Sequence, residues 1–249
     1  MNLKGQNILV TGASKGIGKS IAIHLLKANA RVGIHFNKSR TEANKINLDY
    51  PLSETFQADL AQSDEVQLLF KNAIEHFGNL DTIILNAGVF SPQPIEDSTE
   101  KWLEIWRQTM AINLEAAGLI TKLGIEHFKT QGGGRLVYIG SRAAFRGETE
   151  EYLAYAASKG GLTSLARTVA RSFGKYNIKS FVIAPGFTRT EMAEDVINKI
   201  GEEKILNEMA LKELTTPDDI APLVVLMCSG QMDHATGSTI DINAGSYIR

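Results

Sequence analysis

Only one cysteine, Cys228, occurs in the 249 residues. A lone thiol excludes an intramolecular disulfide framework and any zinc site built from several cysteines. It fits a reducing cytosol, where it reads most simply as a small buried apolar residue. An excess of one charge is also missing: 26 lysines and arginines face 28 acids, a net of −2. That balance excludes a general electrostatic grip on nucleic acid or on an anionic membrane. No apolar run approaches the roughly 18–20 residues of a membrane span. The longest, Ile220 to Cys228, is broken by Pro222. The segment Met1-Asn2-Leu3-Lys4-Gly5-Gln6 lacks the apolar stretch and small-residue cleavage site of a signal peptide, and Ser246-Tyr247-Ile248-Arg249 matches no targeting address. The expectation is a cytoplasmic globular protein.

What is present is an alternation of two periodicities. Short apolar runs occur at Asn7–Val10, Arg31–Phe36, Thr55–Ala58, Thr82–Leu85, Arg135–Ile139, Phe181–Ala184 and Thr239–Ile242. Runs of that length without polar alternation predict strands covered on both faces, as in a parallel sheet. Between them, Val66, Leu69, Phe70, Ala73 and Phe77 share one helical face, as do Leu162, Leu165, Ala166, Val169 and Phe173. Pro217 after Thr215-Thr216 opens another helix. Strand–helix alternation predicts right-handed crossovers and helices on both faces of the sheet. No solenoid repeat, low-complexity tract or linker divides the chain. The fold class is α/β: one doubly wound Rossmann-type domain over residues 1–249.

The first strand runs into Thr11-Gly12-Ala13-Ser14-Lys15-Gly16-Ile17-Gly18, followed by a helix with Ile17, Ile21 and Leu25 on one face. Glycines there let backbone approach a phosphate, and the helix N-terminus offers N–H groups and partial positive charge to the anion. The spacing is G-x-x-x-G-x-G, so the open choice is between an ordinary turn and a dinucleotide site. Position at the first buried strand favours the latter. An acid at the end of the second strand would hold the adenosine ribose of NAD. Here that end reads Phe36-Asn37-Lys38-Ser39-Arg40, with no acid from Arg31 to Thr41. NADP(H) is therefore preferred, NAD(H) remaining possible, with Lys38 or Lys15 pairing the 2′-phosphate. For Lys38 the alternative is a solvated basic loop.

Tyr155 and Lys159 stand one helical turn apart and project from one face. An ammonium beside a phenol is expected to lower its pKa from about 10 toward neutrality, making the tyrosine a working acid/base for a carbonyl or alcohol. Tyr152 has Ala156 in the corresponding place and lacks that help. Ser141 follows a buried strand, at the carboxyl edge where open sheets bind ligands, and could orient the same oxygen. No Gly-x-Ser-x-Gly turn marks it as a nucleophile. Asn86-Ala87-Gly88 ends the fourth strand at that edge. Asn113 lies in an amphipathic stretch where a buried amide ordinarily bonds backbone.

Together these motifs resemble the short-chain dehydrogenase/reductase family over essentially the full chain. Thr11-Gly12-x-x-x-Gly16-x-Gly18, Asn86-Ala87-Gly88, Asn113, Ser141, Tyr155-x-x-x-Lys159 and Pro185-Gly186 occur in that family's order and approximate spacing. The resemblance implies a seven-stranded parallel sheet and a catalytic tetrad of Asn113, Ser141, Tyr155 and Lys159. In it the tyrosine is the acid/base, the serine orients substrate, the lysine also holds nicotinamide-ribose hydroxyls, and the asparagine holds a water in a proton relay. It further implies a phosphate turn of Gly12, Ser14, Lys15, Gly16, Ile17 and Gly18, with Asn37 and Lys38 near the adenosine ribose. Asp59 and Leu60 would meet adenine, Asn86, Ala87 and Gly88 would line the adenosine side, and Thr188 and Thr190 would follow Pro185-Gly186 to the carboxamide. No metal is implied. A homotetramer is, through the helices around Lys101–Lys129 and Leu153–Phe173.

Within the family the chain looks most like 3-oxoacyl-acyl-carrier-protein reductases. Places where that subgroup carries basic docking residues hold Gly132 and Tyr176, with Lys129 and Lys175 nearby. The segment at about 187–214 reads as a lid and is acidic: Glu191, Glu194, Asp195, Glu202, Glu203, Glu208 and Glu213 against Lys199, Lys204 and Lys212. It would repel an acidic carrier, unless these charges are only a solvated helix face. Arg142, Phe145 and Arg146 follow Ser141, either as substrate contacts or as loop packing. Three readings follow: an NADPH-dependent carbonyl reductase or alcohol dehydrogenase, a ketoreductase acting on acyl thioesters, and a dinucleotide sensor without turnover. Presence of both Tyr155 and Lys159 argues against the last.

Overall fold

The computed structural model describes the backbone of residues 1–249; the side chains of Met192, Asp195 and Ile200 lie outside the described residues. Asp195, counted above among the acids of the 187–214 segment, is one of these. Seven strands, β1 (Asn7–Val10), β2 (Arg31–Phe36), β3 (Ser53–Gln57), β4 (Thr82–Leu85), β5 (Gly134–Ile139), β6 (Ile178–Pro185) and β7 (Thr239–Ile242), form one sheet. Its order is β3-β2-β1-β4-β5-β6-β7, and every pair is parallel. The crossovers carry α1 (Gly16–Lys27), α2 (Arg40–Asp49), α3 (Ser63–Phe77), α4 (Thr99–Met110), α5 (Ala116–Gln131), α6 (Ala143–Arg146), α7 (Leu153–Phe173), α8 (Glu191–Ile200), α9 (Glu202–Leu206) and α10 (Pro217–Cys228).

Alternate side chains of the central strands enter different cores, since successive Cβ atoms point to opposite faces. Ile8, Val10, Ile34, Ile84, Val137 and Ile183 pack with Ile21 and Leu25 of α1 and with Val224 and Cys228 of α10. Leu9, Ile83, Leu136, Tyr138 and Val182 pack on the other face with Val66, Leu69 and Phe70 of α3, Phe128 of α5 and Leu162 of α7. Cys228 is fully buried, and burial pushes its thiol pKa up to about 12. The runs predicted as covered on both faces are so in the centre of the sheet but not at its edges. β3 and β7 are mostly half-exposed, because nothing pairs beyond them. β5 and β6 also begin earlier than their apolar runs: Ser180 hides its hydroxyl by donating to the Ala166 carbonyl at 2.8 Å, so a polar residue continues the strand.

Strand order reverses between β1 and β4: β2 and β3 lie to one side, β5 to β7 to the other. A parallel sheet leaves a crevice at the carboxyl ends of the strands on either side of such a switch. Above it, the 187–214 segment builds a small core of its own from Ile197, Ile205, Met209 and Leu214, with Phe187 against it.

Candidate active site

A cavity of about 510 Å³ opens at that crevice. The turn after β1 forms its floor. Gly12 and Gly16 have φ of 63° and 52°, the left-handed region that favours glycine. A Cβ on Gly18 would lie 2.3 Å from the Gly12 carbonyl oxygen and 2.4 Å from the Asn86 amide nitrogen. Asn86 Nδ2 donates to the carbonyls of Thr11 (2.9 Å) and Gly12 (3.1 Å), while Thr11 Oγ1 accepts from the Asn86 and Ala87 N–H groups. The end of β4 thus fixes the turn. Helix α1 begins with no side-chain cap and no acid in its first turn. Its leading N–H groups and positive dipole end therefore face the cavity ready for an anion, and the tight glycine cradle fits a pyrophosphate.

His35, not singled out from the sequence, braces this turn. Its ring is 2 % exposed; Nδ1 accepts the Gly12 N–H at 2.9 Å, so the proton sits on Nε2, which donates to the Ala58 carbonyl at 3.1 Å. It reads as one more strand residue, and only its polar type inside a buried run could have marked it. Burial pushes its pKa from 6.5 down to about 4. The unfolded chain takes up this proton near 6.5 and the fold only near 4. The contribution to stability is therefore whole above 6.5 and lost as pH falls toward 4, by about 3 kcal/mol. Melting temperature measured across that window should drop more steeply for the wild type than for His35→Asn; parallel curves would remove the imidazole from this role.

The chemical end of the cavity is built by β5, α7 and the ends of β4 and β6. Ser141 lines it, its Oγ accepting the Ala143 N–H at 3.1 Å, which holds the rotamer. Lys159 is buried; its Nζ donates to the Ile139 carbonyl at 2.8 Å and lies 5.8 Å from the centre of the Tyr155 ring. Burial lowers the ammonium's pKa to about 8. Tyr155 meets Phe90 edge-on at 4.7 Å. Its pKa runs opposite to the expectation: protein packed around the hydroxyl raises it above 10, opposed by the Ser141 hydroxyl and Arg142 and reinforced by Glu148. The spacing that places an ammonium one turn away does not overcome removal of the phenol from water. Tyr155 therefore keeps its proton at neutral pH.

Of the residues expected at the cofactor, Gly12, Ser14, Lys15, Gly16, Ile17, Gly18, Asn37, Asp59, Leu60, Asn86, Ala87, Gly88, Pro185, Gly186, Thr188 and Thr190 line the cavity, as do Ser141, Tyr155 and Lys159. Lys38 and Asn113 do not. Lys38 is exposed beyond Asn37. Asn113 sits behind the wall in a π-turn (Ala111–Glu115). Its Oδ1 accepts from the Val89 N–H, and its Nδ2 donates to the Val89 carbonyl and the Ser158 hydroxyl. Lys15 lines the cavity but is engaged by Glu191 at 2.8 Å and Glu42 at 3.8 Å, which raise its pKa. Arg142, left open from the sequence, is buried and lines the cavity, as does half-buried Glu148. Lys129 and Lys175 gather on Tyr176 at the amino ends of β5 and β6, away from this cavity. Among the described residues no helix is long and apolar enough to cross a membrane.

A doubly wound sheet with this turn and this tyrosine, lysine and serine defines a short-chain dehydrogenase/reductase, an oxidoreductase working between CH–OH and C=O. The family model described as Enoyl-(Acyl carrier protein) reductase matches residues 12–246, and the chain belongs to that family. An uncharacterized oxidoreductase of Thermotoga maritima is 31% identical over 99% of both chains. The 3-oxoacyl-[acyl-carrier-protein] reductase FabG of Staphylococcus aureus is 27% identical over 98% of both. A short chain dehydrogenase from Burkholderia cenocepacia, solved in complex with NADP, superposes with a TM-score of 0.89 at 29% identity, covering 99% of both chains. A 7α-hydroxysteroid dehydrogenase, complexed with NADH and 7-oxo glycochenodeoxycholic acid, gives 0.90 at 28%, covering 98% of this chain and 95% of that one.

Proposed function

We propose that the protein is an NADP(H)-dependent carbonyl reductase or alcohol dehydrogenase with Tyr155 as its acid/base. The observation that carries this reading is the meeting of Ser141, Tyr155 and buried Lys159 in the cavity that the uncapped α1 and its glycine turn also line. A dinucleotide held by the glycine turn and α1 would give the hydride in reduction and take it up in oxidation. Ser141 orients the substrate oxygen, and Tyr155 donates its proton to that oxygen in reduction or removes one from the alcohol in oxidation. Lys159 adds positive charge where charge develops and has donors left for ribose hydroxyls. Asn113 acts as a positioning residue, holding Val89 in the wall and Ser158 of α7.

Preference for NADP(H) rests on the lack of an acid at the end of β2 and on Lys15, which a 2′-phosphate would take from Glu191. Asn37→Asp places a carboxylate where that phosphate would sit. The ratio of kcat/KM for NADPH over NADH should fall by about 30-fold or more, as expected when like charges meet. An unmoved ratio would show that the phosphate never reaches this corner. The ketoreductase reading draws on the name of the Staphylococcus aureus relative. Against it stand the acidic 187–214 segment and the placement of Lys129 and Lys175 at the opposite end of the sheet. Assay of a 3-oxoacyl thioester beside free ketones with NADPH separates the two readings.

A further inference from the structure

Among the described residues only two cations are buried, Lys159 and Arg142, and both line the cavity. Lys159 has its work in hydride transfer, whereas Arg142 only opposes the rise of the Tyr155 pKa and its side chain has no hydrogen-bond partner of its own. Taking a guanidinium out of water is expensive unless an anion pairs with it. Arg142 is 6 % exposed, yet its side chain donates no hydrogen bond to any described residue, and its Nη1 is buried without a partner. The nearest carboxylate, Glu208, is 3.7 Å from Nη2, beyond hydrogen-bonding distance. Glu208 is itself 54 % exposed at the side chain and lies closer to Arg146, at 3.4 Å. Glu148, an acid that lines the cavity, is engaged by Arg146 at 3.6 Å.

The placement is fixed. The Arg142 N–H donates to the Pro185 carbonyl at 3.0 Å, tying this residue between the ends of β5 and β6, and it directly follows Ser141. A guanidinium fork matches a carboxylate through two parallel N–H donors, which an ammonium cannot do.

We infer that Arg142 binds a carboxylate of the substrate, so that the physiological substrate is a short oxo acid, or the matching hydroxy acid, with its carboxylate close to the reacting carbon. This rests on the hydride-transfer reading and narrows it. A neutral ketone leaves the fork unpaired, and a thioester offers no carboxylate in that position. On binding, the substrate takes the place beside Arg142 that Glu208 approaches from the 187–214 segment.

The test compares 2-oxobutanoate and 3-oxobutanoate with their methyl esters, using NADPH. For the wild type, kcat/KM should favour at least one acid over its ester by about 30-fold or more, the range seen when one member of a buried charge pair is lost. In Arg142→Gln that ratio should collapse toward one, through KM for the acid. Arg142→Lys, with charge but no fork, should recover part of it, and Glu208→Gln should keep it. If Arg142 merely holds Glu208, both variants at these two positions slow acids and esters alike and leave the ratio standing; that result overturns the inference. A wild type that reduces esters or neutral ketones as well as the acids also overturns it and leaves the carbonyl-reductase reading intact. A second readout does not need turnover. With NADP present, 2-oxobutanoate should raise the melting temperature of the wild type but not of Arg142→Gln. No rise in the wild type counts against the inference. A rise without reduction of any carbonyl supports it and counts against the hydride reading instead.

Discussion

Tyr155→Phe should lower kcat by about 10²–10⁴-fold, the usual contribution of a positioned proton donor, while the dissociation constant for NADPH stays within about threefold. The substitution removes one oxygen and keeps the ring, so the edge contact with Phe90 at 4.7 Å survives and the wall of the cavity keeps its shape. NADPH absorbance reads the first quantity and its fluorescence titration the second. An unchanged kcat would assign the proton to another group. The raised pKa of the phenol adds a directional expectation. Reduction needs the protonated form, which the free enzyme holds throughout about pH 6–9, so reductive kcat/KM should be nearly flat there with respect to this group. Oxidation needs the phenolate and should climb with pH across the same range. A reductive rate that falls through neutrality in the wild type and not in a variant lowering the charge around Tyr155 would mean that the phenol ionises early after all.

The glycine turn, the Tyr155–Lys159 spacing and the strand ends at Asn86 and Ser141 were legible because each is a local pattern whose chemistry depends on neighbours in sequence. Parallel topology then brings the strand ends to one edge, so local patterns become a common cavity. What escaped depends on distance or dielectric. His35 acts through Gly12 and Ala58, each 23 residues away, and looks in sequence like one more residue of β2. Glu208 approaches Arg142 from across the 187–214 segment, a meeting no spacing rule predicts. Lys38 was a reasonable partner for a phosphate by charge alone. Whether its side chain faces the cavity is decided by the turn after Phe36, which leaves Asn37 at the wall and Lys38 in solvent. The phenol shows the limit most clearly: sequence gives the geometry of a cation near a hydroxyl, but not how much water remains around either.

That same water balance makes Lys159→Met the sharper test of the site. Lys159 has no carboxylate partner among the described residues, only the Ile139 carbonyl at 2.8 Å. Its pKa falls from 10.5 in an unfolded chain to about 8 in the fold, so at neutral pH the fold carries the full cost of a buried ammonium, about 3 kcal/mol. Between about 8 and 10.5 the unfolded chain holds the proton and the fold does not, so this group's contribution to stability improves as pH rises through that window. Methionine fills similar space without the charge. It leaves the Ile139 carbonyl short of a donor, a loss of about 1–3 kcal/mol, so the two effects oppose and the variant should melt at or a few degrees above the wild type at pH 7. Its kcat/KM should nevertheless fall by about 10²-fold or more, and its affinity for NADPH should weaken, because the charge near the reacting oxygen and the donors for the ribose go together. Stability kept or gained while activity is lost is the signature of a charge retained for chemistry. A variant that melts well below the wild type at neutral pH would show instead that Lys159 holds α7 to β5, and one that kept both activity and cofactor affinity would remove it from the site.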